Sequence, residues 1–435
     1  MKRLLVVLLC LVALPARAGV DIQDITSPGG IEAWLVEEHS IPFVALELRF
    51  RGGASLDAEG KRGAINLMTG LLEEGAGEMD ARAFAEARET LAASYRFDVG
   101  DDSLSVSARF LTENRAEAVE LLRLALTEPR FDPDAVERVR GQVMSNLKSR
   151  ETDPDAIASD LFNRLAYGDH PYGSYYAGTP DSVSGLTRAD VIAAKDRVLA
   201  RDRVYVAAVG DIDAETLGAL IDEVLGGLPE TGAEMPADTA FAATPGVTVV
   251  PFDTPQSVAM FGHDGIGIDD PDFFAAYILN TIFGGRGFNS RLMEEVREKR
   301  GLTYGIRTYL VDLDHAEAML GIVASVNARM GETLAVVRDE WAKIADQGIT
   351  AEELDKAKTY LTGAYPLRFD GNAPIARILV GMQMDGYAPD YIATRNDRIE
   401  AVTLDEANRV AARIYRPDEL RFVVVGQPEG VEATD

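Results

Sequence analysis

Cysteine and histidine are nearly missing from this chain: one Cys and four His among 435 residues. His39, His170, His263 and His315 lie far apart in sequence, and Cys10 sits near the start. So few thiols and imidazoles are a poor stock for a transition-metal site, and a lone cysteine excludes a disulfide framework. Basic residues are also in deficit. Lys and Arg number 43 against 71 Asp and Glu, a formal charge of −28 at pH 7. Binding to nucleic acid or anionic lipid rests on Lys and Arg, so both partners are disfavoured. An acidic surface turned inward over a cavity would instead attract basic peptides. Long apolar runs are lacking too, none reaching the roughly 20 residues that span a bilayer. What remains is core-forming material, 47% hydrophobic and 26% charged, which excludes disorder and fits about two or three domains.

The first eighteen residues read as a secretory signal: Lys2 and Arg3, the apolar run from Leu4 to Leu14, then the small-x-small ending Ala16-Arg17-Ala18. Cleavage is expected after Ala18, which places the protein in the periplasm. Cys10 would leave with that segment, together with Lys2, Arg3, Arg17 and no acid, taking the formal charge from −28 to −31.

Residues 229–246 (PETGAEMPADTAFAATPG) carry Pro, Gly, Ala and Thr without a sustained period of 2 or 3.6, the mark of a linker. The chain therefore divides into a signal segment at 1–18, an N-terminal domain at 19–228, the linker at 229–246 and a C-terminal domain at 247–435. The two halves repeat each other. Ser182 to Ile212 lies over Arg398 to Pro428 without a gap, Thr187 on Thr403, Val206 to Val209 on Phe422 to Val425, and Gly210 on Gly426. Each copy reads as a Thr-capped helix, a turn, and a strand ending in Gly. Ile31 to Val36, Phe43 to Gly52 and Ser103 to Phe110 read as strands, the last alternating Leu104, Val106 and Ala108 against serines. Helical stripes follow at Ala64 to Leu72 and Ala118 to Ala125, and a third helix starts at Pro133 with Asp132 as its N-cap. The fold class is α+β: two tandem homologous domains, each a mostly antiparallel sheet with helices packed on one face.

Phe43 to Gly77 (FVALELRFRGGASLDAEGKRGAINLMTGLLEEGAG), with this duplication behind it, resembles the pitrilysin/insulinase family of zinc metallopeptidases. In that family a strand and turn lead into a helix bearing H-x-x-E-H, whose two histidines share one helix face and reach one metal. The equivalent positions here are Asn66, Thr69 and Gly70. Asparagine is a weak neutral donor, threonine is no base near neutral pH, and glycine offers no side chain. The family's third ligand, a glutamate on a later helix, falls on Asn146, and the acid upstream of it on Val139. Metal ligands in this chain are therefore expected to be none, and without a metal nothing lowers the pKa of water from about 15.7 towards 7.

Asn280 to Tyr304 (NTIFGGRGFNSRLMEEVREKRGLTY) is similar to the family's stretch from a glycine-rich turn to Arg-Glu-Lys-x-Gly-Leu-x-Tyr. There an arginine and a tyrosine seven residues later hold the substrate carbonyl, and Arg297 and Tyr304 match that pair. Gly284, Gly285 and Gly287 match a turn near the substrate cavity; a phosphate loop would require G-K-[S/T], which is absent. The resemblance thus implies the non-zinc subunit of a periplasmic heterodimeric peptidase. Arg297 and Tyr304 would bind peptide and stabilise the transition state at a zinc held by a homologous H-x-x-E-H-bearing partner. The chain would be inactive alone, with no cofactor of its own. The alternative is a non-catalytic structural or peptide-binding protein of the same fold. His170, in Asp169-His170-Pro171-Tyr172, reads as a packing residue, and His263 and His315 as exposed turn or strand-end charges beside Asp264 and Asp314.

Overall fold

The computed structural model of the chain describes residues 20–285 and 289–434. The signal segment with Cys10, and Gly287, lie outside the described residues.

In the N-terminal half, the strands are β1 (Gln23–Thr26), β2 (Glu32–Glu37), β3 (Phe43–Arg51), β4 (Gly75–Ala76), β5 (Met79–Asp80), β6 (Ser94–Val99), β7 (Ser103–Leu111) and β8 (Val204–Gly210). Those of the C-terminal half are β9 (Gly246–Pro251), β10 (Gln256–Asp264), β11 (Ile306–Leu313), β12 (Ala316–Val326) and β13 (Arg421–Gly426). The main sheets run β1-β2-β8-β3-β7-β6 and β11-β12-β10-β13-β9. Read in reverse, the second sheet repeats the first without β1. The parallel pair β2/β8 matches β9/β13, and every other pairing in both is antiparallel. The duplication visible in sequence is therefore a duplication of topology.

The helices preceding the linker are α1 (Ala64–Thr69), α2 (Ala81–Thr90), α3 (Arg115–Thr127), α4 (Pro133–Arg150), α5 (Pro154–Tyr167), α6 (Pro180–Ser184), α7 (Arg188–Val198) and α8 (Ala214–Leu225). Those following it are α9 (Phe273–Gly284), α10 (Met330–Gln347), α11 (Ala351–Ala364), α12 (Asn372–Met384), α13 (Tyr391–Ala401) and α14 (Leu404–Ile414). The repeated helices α7 and α14 start on reciprocal caps: Thr187 with Asp190, Thr403 with Glu406. The strands that follow end on Gly210 (φ +143°) and Gly426 (φ +147°), where a Cβ would stand 2.2 Å from Phe43 O and 2.3 Å from Ser257 Oγ. Only glycine fits both the backbone angle and the close approach. Asp132 does occupy the N-cap of α4, but its carboxylate pairs with Arg130 at 2.7 Å instead of capping a backbone N–H.

Alternation along the strands sorts side chains between two cores. On β8, Val206 and Ala208 join the N-terminal half's own helices, while Ala207 and Val209 point the other way. That second face is covered by α12, whose Ala376, Leu379, Val380 and Met382 pack on Trp34, Ala45, Ala207 and Val209. The exchange is mutual. On the C-terminal sheet Val258, Met260, Val423 and Val425 turn away from their own helices and meet Ala158, Phe162 and Ala166 of α5. Each half thus lends one helix to the outer face of the other's sheet. Between them, residues 226–245 carry no helix or strand but are pinned: Ala242 N–H donates to Ala166 O at 2.7 Å, and the Phe241 ring lies 5.9 Å from that of Phe162.

Two histidines differ from their expected placement. His263 is 1% exposed inside β10, accepts from Trp341 Nε1–H at 3.0 Å, and has its other ring nitrogen 2.7 Å from Asp264 O. Burial pushes its pKa down to about 4, so it is a neutral core residue rather than an exposed charge. His315 is largely covered and lies 3.0 Å from Asp238, tying the β11–β12 turn to the linker. His170 packs, as its motif suggested, edge-on against Tyr172 with Nε2 3.1 Å from Ala237 O.

Candidate functional site

The helix that would carry a metal motif is set by one carboxylate. After β3 the chain turns through Gly53–Leu56 to Asp57, whose two oxygens accept from Gly63 N–H at 2.7 Å and Ile65 N–H at 2.8 Å. These donors open α1, where Gly63 has no side chain to cap with. Burial raises the Asp57 pKa to about 6 against the pull of those N–H groups, Arg62 and Arg197. The folded value lies above the unfolded value of about 3.9, so ionisation costs stability at neutral pH, and this cost disappears as pH falls from about 6 towards 4. Asp57→Ala, which removes both acceptors, is expected to destabilise by about 2–4 kcal/mol in urea unfolding at pH 7. Asp57→Asn should cost less and abolish the gain in stability between pH 6 and 4; an unchanged pH profile would assign that gain elsewhere.

Asn66, Thr69 and Gly70 of α1 and its end, and Asn146 of α4, line one cleft of about 440 Å³. The structure therefore brings together all four positions of the degenerate motif, with Val139, Gln142 and the edge strand residues Phe97, Asp98 and Val99 around them. Their chemistry does not fit zinc. Thr69 is 4% exposed and its hydroxyl donates to Ile65 O at 2.8 Å, leaving no base aimed at a water. Gly70 has no ligand atom, and a Cβ there would meet Val139 Cγ1 at 3.0 Å. Glu74, an acid that also lines the cleft, is held by Arg138. Among the described residues no three His, Cys, Asp or Glu gather as a metal site. Neutral amides beside apolar walls suit a peptide backbone and its side chains, not water activation.

Arg297 and Tyr304 line no part of that cleft. Arg297 is exposed on a π-helical turn, Met293–Glu298, where Lys299 N–H donates to Glu294 O. Such turns are rare and frequent at functional sites. Tyr304 is 89% exposed. Gly284 ends α9 against β11, where a Cβ would lie 2.4 Å from Thr308 Oγ1. Its role in this structure is close packing of helix on strand. Gly285 lines a cavity of about 490 Å³.

A run of adjoining cavities that no sequence motif announces leads away from the cleft. Asp98 is shared with a pocket of about 480 Å³ on the face of β3, β7 and β6. Arg377 joins that pocket to a cavity of about 390 Å³ rich in tyrosine, and Tyr277, Tyr365, Arg368 and Arg395 join this to the one at Gly285. Arginine recurs throughout, so the expectation of an acidic interior drawing in basic peptides is reversed. A signal existed: Glu47, Arg49 and Arg51 alternate with Leu46, Leu48 and Phe50, which marks a charged face on a strand otherwise made for a core.

The family model described as Insulinase (Peptidase family M16) matches residues 33–180, and the one described as Peptidase M16 inactive domain matches residues 185–361. Among curated relatives, the non-peptidase homolog YmxG of Helicobacter pylori is 26% identical over 98% of this chain and 98% of its own length. An uncharacterized zinc protease of Mycobacterium bovis is 28% identical over 81% of each. The crystal structure of a peptidase M16 inactive domain from Pseudomonas fluorescens superimposes with a TM-score of 0.88 at 27% identity, covering 95% of this chain and 100% of that one. A protease from Helicobacter pylori shares the fold, with a TM-score of 0.80 at 17% identity over 93% and 99%.

Proposed function

Since the chain belongs to the insulinase (M16) peptidase family, we propose that it is the non-zinc-binding subunit of a periplasmic two-chain peptidase, holding peptide for a homologous partner that bears H-x-x-E-H. The observation that carries this reading is the position of β6. It is the last strand of its sheet and its residues Phe97, Asp98 and Val99 wall the cleft of Asn66, Thr69, Gly70 and Asn146. A peptide adding to that edge gains main-chain hydrogen bonds and lies across the cleft. Zinc and its activated water would come from the partner, while this chain's residues bind and orient. The exposure of Arg297 and Tyr304 supports their acting in trans, since an exposed guanidinium and an exposed phenol can reach a carbonyl in a partner's site.

The purified chain alone should show no peptidase activity. Reconstituted with its partner, Arg297→Ala or Tyr304→Phe should lower kcat by about 10²- to 10³-fold without preventing assembly. Full activity and stoichiometric zinc in the chain alone would overturn the reading, as would undiminished activity of the pair after both substitutions. The name of the Helicobacter relative, a non-peptidase homolog, favours a second reading, a purely structural or peptide-binding protein. Copurification from the periplasm separates the two: a homologous chain with one zinc per pair supports the first, peptide without such a chain the second.

A further inference from the structure

We propose that the pocket on β3, β7 and β6 is a carboxylate subsite, so that the peptide held at the β6 edge is selected for acidic side chains; this rests on the peptide-binding reading above. The pocket is built by strand register. Arg49, Ser105 and Asp98 form one row across the three strands, Glu47, Ser107 and Arg96 the next, and Ala45, Arg109 and Ser94 a third. Small serines on the middle strand leave a hollow of about 480 Å³, and Arg377 of α12 closes one side.

The pocket's own charges do not cancel. Glu47 accepts from Ser107 at 2.7 Å and meets Arg377 at 3.3 Å. Asp98 is held by Arg96, at 2.5 and 3.1 Å. Each acid is thus matched to an arginine. Arg49 and Arg109 make no ion pair within 4 Å among the described residues, although Glu47 and Asp385 act on Arg49 from farther off. The Nε of Arg49 is buried without a hydrogen-bond partner. A half-buried guanidinium without an acceptor is costly, and a carboxylate is the acceptor whose shape it fits, two parallel N–H···O bonds at once.

The topology says how a carboxylate would arrive. Ser94, Arg96 and Asp98 of β6 face this pocket, so a strand added to β6 sends alternate side chains over the same face. The two cavities beyond Arg377 continue the theme with Arg307, Arg368 and Arg395 and, among the described residues, a single acid, Asp385. In a chain of formal charge −28, an arginine-lined groove is a local reversal of sign, the arrangement that focuses an anionic ligand into a cleft.

The test uses the full chain and fluorophore-labelled peptides of alternating valine and glutamate, with glutamine and lysine counterparts, read by anisotropy. The glutamate peptide should bind about tenfold more tightly than the glutamine peptide, an advantage that shrinks with added salt. In Arg49→Gln/Arg109→Gln the ratio should fall to about one. Arg109→Gln alone, a change at an exposed site, should lower the ratio and keeps the test open if the double variant does not fold. Equal binding of glutamate and glutamine peptides by the wild type overturns the carboxylate subsite and leaves peptide binding standing. Tightest binding of the lysine peptide also overturns it, and binding of none overturns both readings.

Discussion

A chain cut between Glu230 and Thr231 should stay in one piece. Both residues are exposed, so a protease site inserted there is accessible, yet the fragments are expected to coelute at the size of the intact protein and melt in one transition. The physical reason is the helix exchange. Separating the halves would strip α12 from Trp34, Ala45, Ala207 and Val209, and α5 from Val258, Met260, Val423 and Val425. Burial of a large apolar side chain is worth about 1.5–3 kcal/mol, so Phe162, Leu379, Val380 and Met382 together contribute about 6–12 kcal/mol. A domain has only about 5–15 kcal/mol of net stability to lose. Residues 20–228 expressed alone should therefore be insoluble or lack near-ultraviolet circular dichroism, although they contain a whole sheet and most of its core. A native-like, cooperatively melting N-terminal fragment would show that the exchanged helices are ornaments on two independent domains.

That exchange marks the limit of what the sequence disclosed. The α+β class, the repeat, the Thr187 and Thr403 caps and the gathering of Asn66, Thr69, Gly70 and Asn146 were all legible, because each follows from local spacing or from a motif. Amphipathic α5 and α12 announce that they need an apolar partner, but periodicity does not say which sheet supplies it. A clue lay in β8 and β13, whose unbroken runs Val206 to Val209 and Phe422 to Val425 are strands covered on both faces. The burial of His263 is not legible for a related reason: the neighbouring Asp264 suggests a charge, whereas the deciding contact, Trp341, lies 78 positions away. The arginine-lined groove is not legible in the sequence because net charge is a sum over the surface, and its sign inside a cleft depends on which residues the strand register brings together.

Placing metal ligands in the cleft should make it a site that takes up about one zinc, but only if Val139 is cut back. Asn66 and Gly70 stand four residues apart on one helix face, and both line the cleft that Asn146 enters from α4, so Asn66→His, Gly70→His and Asn146→Glu would aim three ligands at one point. The backbone permits it. Gly70 closes α1 at φ −67° and ψ −11°, a conformation that any residue adopts without strain. The obstacle is the side chain opposite, since Val139 Cγ1 stands 3.0 Å from the position of a Cβ on residue 70. A methyl at that distance forces the new side chain or α4 to shift, and a ligand displaced by even a few tenths of an ångström loses its bond, since metal–ligand distances hold to about 0.2 Å. Adding Val139→Ala should therefore raise zinc content, measured by elemental analysis after dialysis, from substoichiometric to about one per chain. Adding Thr69→Glu tests the remaining position: it breaks the hydroxyl bond to Ile65 O and should leave zinc content unchanged, because that residue stands as base and not as ligand. If the folded variant with Val139→Ala holds no zinc, then Asn66, Gly70 and Asn146 line a common cleft without sharing the geometry of a metal centre. The kinship of this cleft to the zinc motif would then be one of sequence position alone.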